Sequence, residues 1–145
     1  MRFEVLSNLR DRLRNHEPLV EYLAEHYPDA EPNWFIGAKL QPAANEFPYI
    51  AVAPIQEDKA AAPSVVRTAR VSILCGVNED AVTDGVYSGI RRVAEIGELI
   101  LEALAVQPIG TPPVTWDGEA QSRSDAGLQH PFYEGEIVIS VRLRT

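Results

Sequence analysis

With a single cysteine, Cys75, this 145-residue chain can form no intrachain disulfide and no cysteine-built zinc site. Basic residues are also scarce: 13 Lys and Arg stand against 21 Asp and Glu, a net charge of -8. Proteins that grip nucleic acid by its phosphates need clustered cations, so this balance argues against that class. Acidity of this kind is first of all a matter of solubility; a weaker point is that it would suit the wall of a conduit through which DNA slides without sticking. No apolar run approaches the roughly 18 residues of a membrane span. The opening Met1-Arg2-Phe3-Glu4-Val5 carries no apolar signal core, so the expectation is a cytoplasmic chain with no membrane partner. Hydrophobic residues at 46% and charged residues at 23% are ordinary for a folded protein, which excludes general disorder. The length suits one domain, residues 1–145.

Catalytic patterns are missing too. His16, His26 and His130 are not spaced i, i+4 and belong to no H-E-x-x-H motif. Ser7, Ser64, Ser88 and Ser140 lie in no nucleophile elbow. Cys75 sits in the apolar run Val71-Ser72-Ile73-Leu74-Cys75, the setting of a small buried hydrophobe and not of a nucleophile. Gly85-Val86-Tyr87-Ser88-Gly89 lacks the strand–loop–helix context and the lysine of a phosphate cradle. Glu79, Asp80 and Asp84 cluster where a long helix is expected to begin; they would complement its dipole, or alternatively hold a divalent cation. On these grounds no catalytic, cofactor-binding or metal-ligating residue is assigned, and no enzyme activity or cofactor is expected.

What the sequence does carry is periodicity. Glu136–Arg144 alternates strictly, with Ile137, Ile139, Val141 and Leu143 on one side and Glu136, Ser140, Arg142 and Arg144 on the other. That is a strand with one buried and one wet face. Phe3 to Asn15 reads as a helix on Val5, Leu6, Leu9 and Leu13. Pro18 then opens a second helix on Leu19, Val20, Leu23, Ala24 and Tyr27. Trp34-Phe35-Ile36-Gly37 is a candidate short strand. Phe47 to Ile55 is a strand whose Pro48 and Pro54 imply strand ends or an edge. Gln56 to Ser64 reads as a mobile hairpin loop, and Val65 to Val77 as the returning strand, with Leu74 breaking its alternation.

A long helix is expected over Ala81 to Ala105, buried through Val86, Ile90, Val93, Gly97, Ile100, Leu101 and Leu104. Gly97 on that stripe would let the helix lie close on the sheet. Val114-Thr115-Trp116 opens another strand, Asp117-Gly118-Glu119 a turn or bulge, and Asp117 to Gln129 a polar loop. Trp116, Phe132 and Tyr133 flank that loop, either as core or as anchors for a partner. The fold class is therefore α+β: an antiparallel sheet of about four strands packed against a long helix, with two short N-terminal helices.

In element order and spacing the chain resembles the tail terminator (tail completion) proteins of long-tailed bacteriophages. The residues behind this are Leu9-Arg10-Asp11-Arg12-Leu13, Leu19-Val20-Glu21-Tyr22-Leu23, Phe47-Pro48-Tyr49-Ile50-Ala51-Val52, the strand Arg70–Val77, the helix to Leu104, and Glu134-Gly135-Glu136-Ile137-Val138-Ile139-Ser140-Val141. The resemblance covers nearly the whole chain and implies a structural virion protein. It would assemble as a hexameric ring on the head-proximal end of the tail, after synthesis in the host cytoplasm. Its implied partners are further copies of itself, the tail tube protein and a head-side connector, with DNA passing through the lumen without specific binding. Two other readings stay open: a small α+β enzyme or ligand-binding domain with its site between subunits, and a different neck or head-tail joining protein.

Overall fold

The computed structural model describes residues 3–38, 42–57 and 66–144. Two helices open it, α1 (Phe3–Arg14) and α2 (Glu17–His26), followed by strand β1 (Asn33–Ile36) and a short 3-10 turn at Ala44–Glu46. Strands β2 (Tyr49–Glu57) and β3 (Val66–Asn78) come next, then a small hairpin of β4 (Val82–Thr83) and β5 (Val86–Tyr87). Helix α3 (Ser88–Leu104) and strands β6 (Val114–Ser124) and β7 (Phe132–Arg144) complete the order.

The α+β class holds, but the main sheet has five strands, ordered β1-β2-β3-β7-β6. It is also mixed: β1 runs parallel to β2, and every other pairing in this sheet is antiparallel. A parallel pair needs a crossover between its strands. Part of that crossover lies on the sheet, since Pro42 and Glu46 line the same cleft as Phe35, Tyr49 and Ala51. Strand β2 is accordingly not an edge. Its prolines still obey the rule that proline cannot donate to a ladder: Pro48 precedes the strand, and Pro54 sits at a bulge where the register shifts.

Helices α1 and α3 lie on one face of the sheet, with α2 packed mainly on the other two helices. The core between them contains Val71, Ile73 and Cys75 from β3 and Ile137, Ile139, Val141 and Leu143 from β7. Val5, Leu6, Leu9 and Leu13 of α1, Leu19 and Leu23 of α2, and Val93, Ile100 and Leu104 of α3 meet them there. The register of the last strand is thus as its alternation implied. Val20 and Ala24 instead face outward from α2, and Ile90 is 44% exposed at the start of α3. Leu74, out of step with its strand, belongs to a second cluster on the opposite face with Phe47, Tyr49, Ala51, Phe35 and Phe132.

Three boundaries differ from the sequence pattern. Helix α3 begins at Ser88, because Val82 to Tyr87 is a hairpin turning at Asp84 (φ 51) and Gly85 (φ 74). Two successive positive φ values are what Asp-Gly supplies in a two-residue hairpin. Residues 117–124 are strand, not loop: after a bulge between Trp116 and Ala120, with Gly118 at φ 81, β6 pairs with β7 as far as Ser124. The Gln56–Ser64 loop lies outside the described residues from 58 onward, β2 continuing to Glu57.

Candidate interaction surface

The residues of catalytic type are dispersed. His16 is the N-cap residue of α2, with Nε2 3.5 Å from a carboxylate oxygen of Glu102. His26 ends that helix, its ring centroid 4.4 Å from that of Tyr22. His130 lies in the β6–β7 connection between the rings of Tyr87 and Tyr133, and contacts the Tyr133 hydroxyl. Ser140 is exposed on the sheet, Ser88 opens α3, Ser7 is on α1, and Ser64 is outside the described residues. Cys75 is buried in the core, which pushes its thiol up to about 12 and leaves it protonated and inert.

The carboxylates near residue 80 do not converge either. Glu79 approaches Arg92 at 4.0 Å, and Asp84 occupies the hairpin turn instead of a helix start. Among the described residues no group of three or more His, Cys, Asp and Glu could hold a metal ion. Also among them, no helix is long and apolar enough to cross a membrane.

One polar cluster was not visible in the sequence. The Tyr22 hydroxyl donates to Oε2 of Glu95 at 2.6 Å, and Arg92 lies between Glu95 (3.9 Å) and Glu79. Burial first, then the Glu95 hydrogen bond, raises Tyr22 to about 12; burial also raises Tyr27, with Glu79 adding to it. These groups join α2 to α3 at the i, i+3 pair Arg92 and Glu95, and the raised Tyr22 phenol remains a neutral hydrogen-bond donor. Arg12 does similar work at the other end of α3, donating to the carbonyls of Ala103 (3.2 Å), Val106 (2.5 Å) and Pro108 (3.4 Å). Trp116 Nε1 donates to Leu104 O at 2.8 Å, so two of the free carbonyls at this helix end, those of Ala103 and Leu104, are satisfied by side chains from α1 and β6.

What remains is surface. Among the described residues, five of nine exposed large hydrophobics lie on neighbouring segments: Val82, Val86 and Tyr87 on the small hairpin, Ile90 beside it, and Leu128, 87% exposed, on the β6–β7 connection; Phe3, Val20, Ile55 and Val106 are scattered elsewhere. Trp116 and Tyr133 belong to the core instead, and Phe132 packs on Phe47 with ring centroids 5.0 Å apart.

The face of the sheet away from the helices changes character along its length. Around β1 and β2 it is apolar and partly covered. Over β3, β7 and β6 it is open and polar, with Arg70, Ser140, Arg142, Thr115 and Gln121 exposed. Ser72 is buried there beneath Glu136, to which its hydroxyl donates at 2.6 Å, and Arg123 donates to the other oxygen of Glu136, also at 2.6 Å. The edge strands of the sheet are β1 and β6, and β6 is exposed from Asp117 to Ser124.

No protein-family model matches the chain, and no curated protein matches it. Among solved structures the fold is similar to that of a chain in a structure titled "Virion of native gene transfer agent (GTA) particle", with a TM-score of 0.59 at 13% identity. The match covers 94% of this chain and 92% of that one. At so low an identity the likeness is one of fold, extending over nearly the full length of both chains.

Proposed function

We propose that this chain is a structural protein of a phage-like virion, and within it the tail terminator: a ring on the head-proximal end of the tail tube. The observation that carries the reading is the end-to-end fold match with a chain of a gene transfer agent virion. It is supported by the independent resemblance in sequence layout to phage tail terminators. The described surface fits the same reading, since its exposed groups are apolar side chains, a free strand and dispersed charge suited to protein contacts.

In this role the protein does no bond chemistry. A ring seated on the last layer of tube protein occupies the surface on which the next layer would add, so tube growth stops. Its other side is then available to the head-side connector. A closed ring requires heterologous contacts, in which one patch on each subunit meets a different patch on the next. DNA leaving the head passes through the lumen. A chain of net charge -8 favours an acidic or neutral wall, which binds no phosphates and releases no counterions.

Electron microscopy of particles assembled without this protein tests the reading. Overlong tails, or finished tails not joined to heads, are the expected outcome. Tails of normal length joined to heads would overturn it, and normal-length tails left unjoined would point to another neck protein.

A further inference from the structure

The open sheet face has an imbalance of charge. Among the described residues, Arg10 and Arg14 lie against Asp11, Arg92 lies near Glu79 and Glu95, and Arg123 pairs with Glu136. Arg12 is spent on the carbonyls after α3. Among the described residues Arg70 and Arg142 have no ion-pair partner within 4 Å, and both are exposed on this face. Arg70 acts on Glu136 only through its field, and that carboxylate is already held by Ser72 and Arg123. In the β3–β7 register Arg70 stands opposite Ser140, and Thr68 opposite Arg142. The two guanidiniums are therefore diagonal neighbours on adjacent strands, with backbone positions about 7–8 Å apart. Beside them is a small pocket of about 150 Å³ lined by Gln56, Thr68, Ala69, Arg70 and Ser140. Two like charges placed together and unpaired, in a chain with a large acidic excess, leave room for an anionic partner.

The complementary feature is on the helical side of the molecule. Glu17, Glu21 and Glu25 recur every four residues along α2, directly opposite the buried Leu19 and Leu23, and all three are exposed. None makes an ion pair among the described residues. At a rise of about 1.5 Å per residue, successive carboxylates stand about 6 Å apart, close to the separation of the two arginines. Both side-chain types are long enough to absorb the difference.

We infer that the outer ridge of α2 in one copy docks on the open sheet face of the next, Glu17 and Glu21 meeting Arg70 and Arg142. The two patches are on opposite layers of the subunit, so the contact is heterologous and repeats head to tail, closing into a ring or running on as a filament. Nucleic acid is the poorer occupant, because two arginines on a chain of net charge -8 make no phosphate track. That the repeat closes as a ring on a tail rests on the function proposed above; the contact itself does not.

Sedimentation velocity on the purified chain tests it with two charge-reversed variants, Arg70→Glu/Arg142→Glu and Glu17→Arg/Glu21→Arg. Each variant alone presents like charges at the contact and is expected to associate at least about tenfold more weakly than wild type. Mixed in equal amounts, they present opposite charges at every contact of an alternating chain, and association is expected to return. It should weaken from about 20 mM to about 500 mM salt, as the screening length shortens. Circular dichroism checks folding, and the neutral pair Arg70→Gln/Arg142→Gln replaces the first variant if that one does not fold. In that case association weaker than wild type supports the contact, and association equal to wild type overturns it.

A mixture that stays as monomeric as its parts would overturn the contact, as would variants that associate like wild type. So would a short DNA duplex that binds wild type but not the arginine variants, which would make the face an anion site for nucleic acid. The terminator reading is decided separately, by the tails themselves.

Discussion

Glu136 shows how one side chain can carry a measurable share of stability on the face that is open to solvent. Its carboxylate is held below the usual range by the Ser72 hydroxyl first and by Arg123 second. Arg123 is 81% exposed, so screening leaves Ser72 the larger share. A carboxylate depressed in the folded state adds stability that is present above its unfolded value, near 4.3, and is lost as pH falls through the lower folded value. Glu134, two residues earlier on the same strand, is shifted upward by burial, so its contribution runs the opposite way and is lost as pH rises. Replacing Glu136 with Gln isolates the first effect. The variant is expected to lose about 1–2 kcal/mol at neutral pH and to fall less steeply below about pH 4.5 than wild type. Denaturant unfolding across that range measures it, and coincident curves would show that the Ser72 and Arg123 contacts contribute nothing.

Among the elements, α3 has two glycines of opposite meaning. Gly97, expected to permit close packing, has space: a Cβ there would meet only Ile137 Cδ1, at 3.6 Å. Close approach occurs at Gly89 instead, where a Cβ would come within 2.1 Å of the buried Tyr133 ring. Gly97→Ala is therefore expected to raise stability, by up to about 1 kcal/mol of helix propensity. Gly89→Ala is expected to lower it by about 1–3 kcal/mol through overpacking. Thermal unfolding of the two variants checks both signs, and a destabilised Gly97→Ala would mean the helix sits closer to β7 than the structure shows.

For the whole molecule, the helices and both halves of the sheet share one cluster running from Val5 to Leu143. One cooperative unfolding transition is expected, as for a single domain. Ile139, 1% exposed at the centre of β7, is the position to probe. Ile139→Ala is expected to cost about 2–5 kcal/mol and to shift the entire transition without splitting it. Two separate transitions by circular dichroism and tryptophan fluorescence would show that the chain is not one folding unit. The second face of the sheet is packed only around β1 and β2, so its β3–β7–β6 part and the outer helical ridge are left for assembly contacts.

The sequence alone determined the parts in which a residue's neighbours along the chain decide its fate. Both N-terminal helices, the β3 alternation and the buried face of β7 are legible because burial on one side imposes a period of 3.6 or 2. The Asp84-Gly85 turn was missed: the helical pattern through Val86 and Ile90 put a helix from Ala81 over a dipeptide that favours a two-residue hairpin. The second half of β6 could not be read in this way: beyond Trp116 it is an exposed edge strand, and without a buried face its polar residues leave no alternation to find. Only the tertiary structure decided that β1 joins the sheet in parallel, that Arg12 caps a helix 91 residues away in sequence, and which arginines have no ion pair among the described residues. Those outcomes depend on side chains distant in sequence meeting in space, and no local period records such meetings.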